Sequence, residues 1–161
     1  MKVQDVMTRE VVSCHADTDV GAAARQMLDG HFGTIPVVDA HGRLTGILTD
    51  RDIAMAAATR ARNASHIAVH EAMRTDIRVC SPQDELDAAL GRMAAACVRR
   101  LPVVDAAGRL SGVLSIDDIA VRGVGGAGGI TPEVFVAAMR RLCSRSPVEP
   151  DVDLAELQTP G

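Results

Sequence analysis

Aromatic side chains are almost absent from this 161-residue chain, which has two Phe and neither Tyr nor Trp. A chain so composed lacks the stacking platforms on which single-stranded nucleic acid binding relies. Its core has to be aliphatic, built from Val, Ile, Leu, Met and Ala. A basic excess is missing too. The net charge is −4, and the terminal stretch "EPDVDLAELQTPG" carries Glu149, Asp151, Asp153 and Glu156 without one cation. Apart from those four, acidic and basic residues balance, so the body offers duplex DNA no electrostatic footprint. Nucleic acid is therefore not an expected partner. Nothing approaches a signal peptide or a membrane span, which predicts a cytoplasmic protein without membrane contact. The four cysteines, at 14, 80, 97 and 143, form no C-x-x-C pair. That spacing indicates neither a zinc ribbon nor a thioredoxin motif.

What the chain does have is one unit written twice. "IPVVDAHGRLTGILTDRDIA", from Ile35 to Ala54, returns as "LPVVDAAGRLSGVLSIDDIA", from Leu101 to Ala120. The offset of 66 places Met7 on Met73, Cys14 on Cys80, Met27 on Met93, Pro36 on Pro102 and Asp52 on Asp118. No gap is needed from about Val3 to Ala54, and an internal repeat of this kind governs the fold.

Each copy reads alike. A short β-like run, "VVSC" or "IRVC", comes first. Val20, Ala23, Ala24, Met27 and Leu28 then recur at helical spacing, as do Leu86, Ala89, Leu90, Met93 and Cys97, predicting amphipathic helices. Asp17 or Thr18, and Ser81 ahead of Pro82, are the expected caps. Two strands follow, joined by a tight turn in which Gly42 and Gly108 take positive φ. A second helix starts at Asp50 or Ile116. The unit is β-α-β-β-α, and one copy alone is small for a core of its own. Past Arg122, "GVGGAGG" predicts a flexible hinge. "TPEVFVAAMRRLCSR" predicts a further helix, capped by Thr131 with Pro132 in its first turn and suited to packing or dimerisation. The stretch after it has the composition of a disordered tail.

"PVVDAHGRLTGILTDRDI" and "PVVDAAGRLSGVLSIDDI", each preceded by its helix and by "VMT" or "AMR", resemble a tandem pair of CBS domains, the Bateman module. That resemblance spans residues 1–122, and the whole chain, with its extra C-terminal helix, is similar to stand-alone two-CBS-domain proteins of actinobacteria. The resemblance implies no catalysis. It implies binding of an adenosine-containing ligand (AMP, ADP, ATP, S-adenosylmethionine or an NAD form) in clefts between the copies, and signalling of occupancy to a regulated partner protein. From the family pattern G-h-x-[ST]-x-x-D, Asp52 and Asp118 would take ribose hydroxyls, with Thr49 and Ser115 beside ribose or phosphate, after Gly46 and Gly112. Adenine would lie against Ile47 or Val113 and against Val11 or Ile77. Arg99 and Arg100 stand where a phosphate-binding cation is implied, and the first copy has Gly33 and Thr34 there. The clefts should therefore be unequal.

The residues by themselves allow this chemistry. A carboxylate accepts two hydrogen bonds from vicinal hydroxyls, and a first-turn position favours its ionised form. T-x-x-D and S-x-x-D are equally the spacing of a helix capping box. Cys14 and Cys80 hold equivalent places and read as small apolar packing. The rival reading makes them a disulfide, a redox switch or a metal site in a stress-responsive protein whose nucleotide sites are vestigial. Cys97 reads as core. His66 and His70 would share a helix face, yet the five His form no ligand spacing. No nucleophile with its base and no convergent pair of acids is visible, so neither an enzyme nor a catalytic cofactor is expected. The expectation is an α/β fold made by internal duplication: residues 1–62 and 63–122 as the two CBS domains, 123–130 as a Gly-rich linker, 131–145 as the C-terminal helix and 146–161 as an acidic tail. Homodimerisation through helices is expected to join two such chains.

Overall fold

Asp19, rather than Asp17 or Thr18, starts the first amphipathic helix. Its Oδ1 accepts the Ala22 amide at 2.7 Å, satisfying one of the donors a helix leaves free at its start. Thr18 is engaged elsewhere, its Oγ1 accepting the His15 amide. The computed structural model describes residues 1–60, 62–125 and 127–144. The acidic tail lies outside them. In chain order the first copy comprises β1 (Cys14–His15), α1 (Val20–Asp29), β2 (Thr34–Val38), β3 (Leu44–Thr49) and α2 (Asp50–Arg60). A short helix, α3 (Val69–Ala72), leads into the second copy. That copy has α4 (Leu86–Ala96), β4 (Arg100–Val104), β5 (Leu110–Ser115) and α5 (Ile116–Asp118), which continues as a π-helical turn over Ile119–Gly123. α6 (Pro132–Cys143) follows.

The duplicated α/β unit is therefore present twice, with differences at its edges. β1 pairs parallel with β2, whereas the matching run "IRVC" contributes one parallel bridge, Cys80 to Val103. Ser81 and Pro82 do not open α4. The Ser81 amide donates to Asp84 Oδ2 at 2.9 Å, and the helix begins after Glu85 without a side-chain cap. α1 and α4 end alike, since the equivalent residues His31 and Cys97 both take left-handed backbone, with φ of 55° and 52°. Cys97 is thereby turned out of the core and exposed.

The two hairpins match closely. β2 runs antiparallel to β3, and β4 to β5, each with an irregularity at the same place, after Val37 and after Val103. Gly42 and Gly108 have φ of +74° and +76°. Asp39 Oδ1 accepts the amides of His41 and Arg43, and Asp105 Oδ1 those of Ala107 and Arg109. The Arg43 and Arg109 amides foremost hold these carboxyls below their ordinary range. The turns also meet each other: the Leu44 amide donates to the Gly108 carbonyl at 3.1 Å and the Leu110 amide to the Gly42 carbonyl at 3.0 Å.

The two cores do not coincide with the two stretches of sequence. Thr8 and Val113 exchange main-chain hydrogen bonds at 2.9 Å, and the Leu86 amide donates to the Met1 carbonyl. Val3, Val6 and Met7 thus fill the core of Leu86, Leu90, Met93, Leu101 and Leu114. In return, Ile67 and Val69 complete the core of Val20, Met27, Ile35 and Leu48, and Arg74 pairs reciprocally with Ile47. Each core borrows the segment that precedes the other copy, which answers the shortage of apolar surface in a unit this small.

The described ends of the glycine-rich stretch are joined by main-chain hydrogen bonds. The Gly125 amide donates to the Ile130 carbonyl, and the Ile130 amide to the Gly123 carbonyl. It delivers α6 onto α4, where Ile130, Ala138 and Leu142 join the second core. Thr131 Oγ1 caps α6 by accepting the Val134 amide.

Candidate functional site

Thr49 and Ser115 end β3 and β5 where the chain turns into α2 and α5. At each place the hydroxyl donates to the aspartate three residues on, to Asp52 Oδ2 and to Asp118 Oδ2, both at 2.6 Å. The same oxygens accept the Thr49 and Ser115 amides at 3.1 and 2.9 Å, and the Asp52 and Asp118 amides donate back to the hydroxyls. The capping box is formed in both copies. It uses one carboxylate oxygen, while the other, Oδ1, is held by side chains: Arg74 at Asp52, and Thr8 with Arg122 at Asp118.

On the second copy Oδ1 faces a cleft of about 410 Å³, within the ~300–1,000 Å³ range of small-ligand sites. The cleft brings together five residues singled out from the sequence: Val11, Arg100, Val113, Ser115 and Asp118. Thr8, Glu10, Val12, Gly30, Phe32 and Thr34 complete its lining. Both copies contribute, because Thr34 and Arg100 are equivalent residues at the starts of β2 and β4. Val11, Val12, Val113 and Phe32 form an apolar wall, while Asp118, Ser115 and Thr8 form a polar corner. The Phe32 ring lies where a Cβ on Gly30 would stand, 2.1 Å from its Cε1, so glycine at that helix end makes room for the one aromatic of the cleft.

The first copy departs from this arrangement. Asp52 Oδ1 takes both Nε and Nη2 of Arg74, at 3.0 and 2.8 Å, and Ile47 is tied to Arg74 through the main chain. Gly33 lies outside that cleft, with Asp50 Oδ2 2.7 Å from where its Cβ would be. It lines a separate groove of about 460 Å³ between α1 and α2, with Ala24, Leu28 and Ile53. Ile77 is half-buried, and Arg99 is exposed. Arg99 points away from the cleft, its Nη2 4.0 Å from Cys143 Sγ on α6. Arg100, not Arg99, is thus the cation at the cleft.

The chain matches the family model for the CBS domain twice, over residues 3–59 and 69–124. It belongs to the CBS-domain family. It is 37% identical over 119 residues to the CBS domain-containing protein YhcV of Bacillus subtilis, a match covering 74% of this chain and 83% of that one. Among solved structures it is similar to the CBS domain pair of protein MJ0100 in complex with 5-methylthioadenosine and S-adenosyl-L-methionine. The TM-score is 0.68 at 26% identity, covering 75% of this chain and 94% of the other. It is also similar to CBSX2 in complex with AMP, with a TM-score of 0.66 at 25% identity and coverage of 74% and 93%. Longer enzymes match as well, over 23% of their own length. No described helix is long and apolar enough to cross a membrane.

The cysteines of the rival reading lie apart, Cys14 in the first core and Cys80 in the second. Burial pushes both thiols up to about 11, which keeps them protonated and poorly nucleophilic at neutral pH. Among the described residues no three His, Cys, Asp or Glu converge as a metal site would need.

Proposed function

We propose that the chain is a regulatory sensor, not an enzyme, that binds an adenosine-containing nucleotide between its two CBS copies and passes occupancy to a partner protein. One observation carries the reading. The capping box engages Oδ2 of Asp118, so Oδ1, held only by the side chains of Thr8 and Arg122, serves as the acceptor for ribose hydroxyls. Adenine lies against Val11, Val113 and Phe32, and Arg100 meets the phosphate. The CBS neighbours with bound AMP, S-adenosyl-L-methionine or 5-methylthioadenosine support the ligand class. Signalling requires that the ligand favour one of two conformations; couplings of about 1–3 kcal/mol are usual. A homodimer in the cytoplasm is part of the reading, joined through the helical face on which Leu28 is 73% and Met55 55% exposed.

A thermal-shift panel of AMP, ADP, ATP, S-adenosylmethionine and NAD tests it. A ligand at 100 times its dissociation constant stabilises by about 2.7 kcal/mol. That gain should disappear in Asp118→Ala and largely persist in Asp52→Ala, since Asp52 does not line this cleft. No shift with any adenosine compound, together with a melting point that follows reductant or chelator, would replace the sensor with the cysteine-based rival.

A further inference from the structure

Asp118 Oδ1 does not stand alone at the cleft. Arg122 Nη2 donates to it, Thr8 Oγ1 donates to it at 3.2 Å, and Arg122 Nη2 lies 3.4 Å from the same Thr8 oxygen. The acceptor that the sensor reading gives to ribose is thus occupied by a guanidinium. We propose that Arg122 is a phosphate latch: it holds Asp118 while the cleft is empty, and it moves to the ligand's phosphate when ribose takes Oδ1. This rests on the nucleotide reading above and adds a binding residue to it.

Charge at the cleft argues for the exchange. Glu10 and Asp118 bring two carboxylates, against which Arg100 brings one cation. Without Arg122 the site would repel a phosphate. With it the four ionised groups balance, and a phosphate displaced onto Arg122 leaves Asp118 paired with hydroxyls rather than bare. The pair is also able to open. The Arg122 side chain is 45% exposed, and exposed ion pairs are weak.

The backbone beneath Arg122 supports the same reading. It belongs to the π-helical turn Ile119–Gly123, a geometry frequent at functional sites. Gly123 closes that turn against Leu86, whose Cδ2 would lie 2.7 Å from a Cβ there, and the loop to α6 starts at once. A movement of Arg122 therefore acts on the segment that carries α6. The first copy has no such device. Ala56 holds the equivalent place, and Asp52 is gripped instead by both Nε and Nη2 of Arg74, from a residue whose main chain is pinned to Ile47.

The test compares adenosine with AMP by calorimetry on the full chain, in wild type, Arg122→Gln and Arg122→Lys, after circular dichroism confirms that each variant folds. The latch predicts that Arg122→Gln weakens AMP by about tenfold or more, the scale of one charge-assisted hydrogen bond. Adenosine should bind it as tightly as wild type or several-fold more tightly, since its competitor for Oδ1 is gone. Arg122→Lys should keep part of the preference for AMP. Equal effects on both compounds, or unchanged AMP affinity, would overturn the latch and leave the sensor standing. So would a wild type that takes S-adenosylmethionine but no phosphate-bearing compound. A wild type that binds no adenosine compound would overturn the sensor itself.

Discussion

Where α1 of the first copy carries Val20 and Ala24, α4 of the second carries Leu86 and Leu90, and the larger pair lies in the core that α6 helps to close. Leu86 and Leu90 are 2% and 1% exposed. On the first copy Val20 is buried too, but the face beyond it stays uncovered. Ala24 leaves a groove between α1 and α2, and Leu28 stands in the open. The copies agree at what the unit needs to fold, in the hairpins, the paired aspartates of the turns and the capping boxes. They part at the outer helical face and at the cation beside each capping-box aspartate. Duplication has preserved the scaffold and released its surfaces for separate uses.

The largest effect that sharpens this contrast is expected at Leu90. Leu90→Ala removes a fully buried side chain beneath α6 and should cost about 2–5 kcal/mol in denaturant unfolding. Leu28→Ala, on the matching face of the other copy, should stay within about 0.5 kcal/mol, while Leu28→Asp should lower the dimer fraction in sedimentation. Equal costs for Leu90→Ala and Leu28→Ala would mean that the two faces are not differently covered.

Glycine gives the next contrast. Gly46 and Gly112 are equivalent, and both are crowded by the exchanged segments. A Cβ at Gly112 would lie 2.6 Å from the Thr8 carbonyl oxygen, which is main chain. At Gly46 the nearest atom, at 2.4 Å, is Met73 Sδ, part of a flexible side chain, with the Arg74 carbonyl at 3.3 Å. Gly112→Ala should therefore destabilise by about 1–3 kcal/mol and Gly46→Ala by less. It should also disturb the cleft, because Thr8 lines it.

The smallest effect concerns acid. Asp84 takes the place of Thr18, and the Ser81 amide, then the Arg92 guanidinium, hold its carboxyl below the ordinary range. A carboxylate lowered by folding adds stability above its unfolded pKa and loses it as pH falls through the folded one. Asp84→Asn should thus shrink the loss of stability below about pH 4, whereas Thr18→Val should leave that slope unchanged. Acid titrations of the melting temperature read both.

Much of the fold was legible because a fixed offset of 66 repeats whole elements, and periodicity survives even where residues change. The hairpin glycines were legible through the turn they require. The missed features are carried by single contacts that leave no pattern. One main-chain pair, Thr8 with Val113, commits the first segment to the second core, and nothing in "MTRE" announces it. The cap of α1 lies one or two residues past Asp17 and Thr18, at Asp19, because adjacent Asp and Thr side chains can each accept an amide; the start of α4 lies four residues past Ser81 and carries no side-chain cap. Asp118, Ser115, Val11, Val113 and Arg100 were singled out through the family pattern, and they line the cleft. Thr8, Glu10 and Phe32 were not, since they reach the cleft from segment ends. Thr34 carried a signal, as the counterpart of Arg100, but it was read only as a departure. Arg122 lies outside the repeated stretch, and only the folded turn brings it back to Asp118.

The interchange of leading segments has a consequence for how the molecule comes apart. Heat or urea cannot strip one half away without also tearing Val3, Val6 and Met7, or Ile67 and Val69, out of the other. Melting should therefore run as one concerted event, and a fragment bearing a lone copy would be missing part of its own interior.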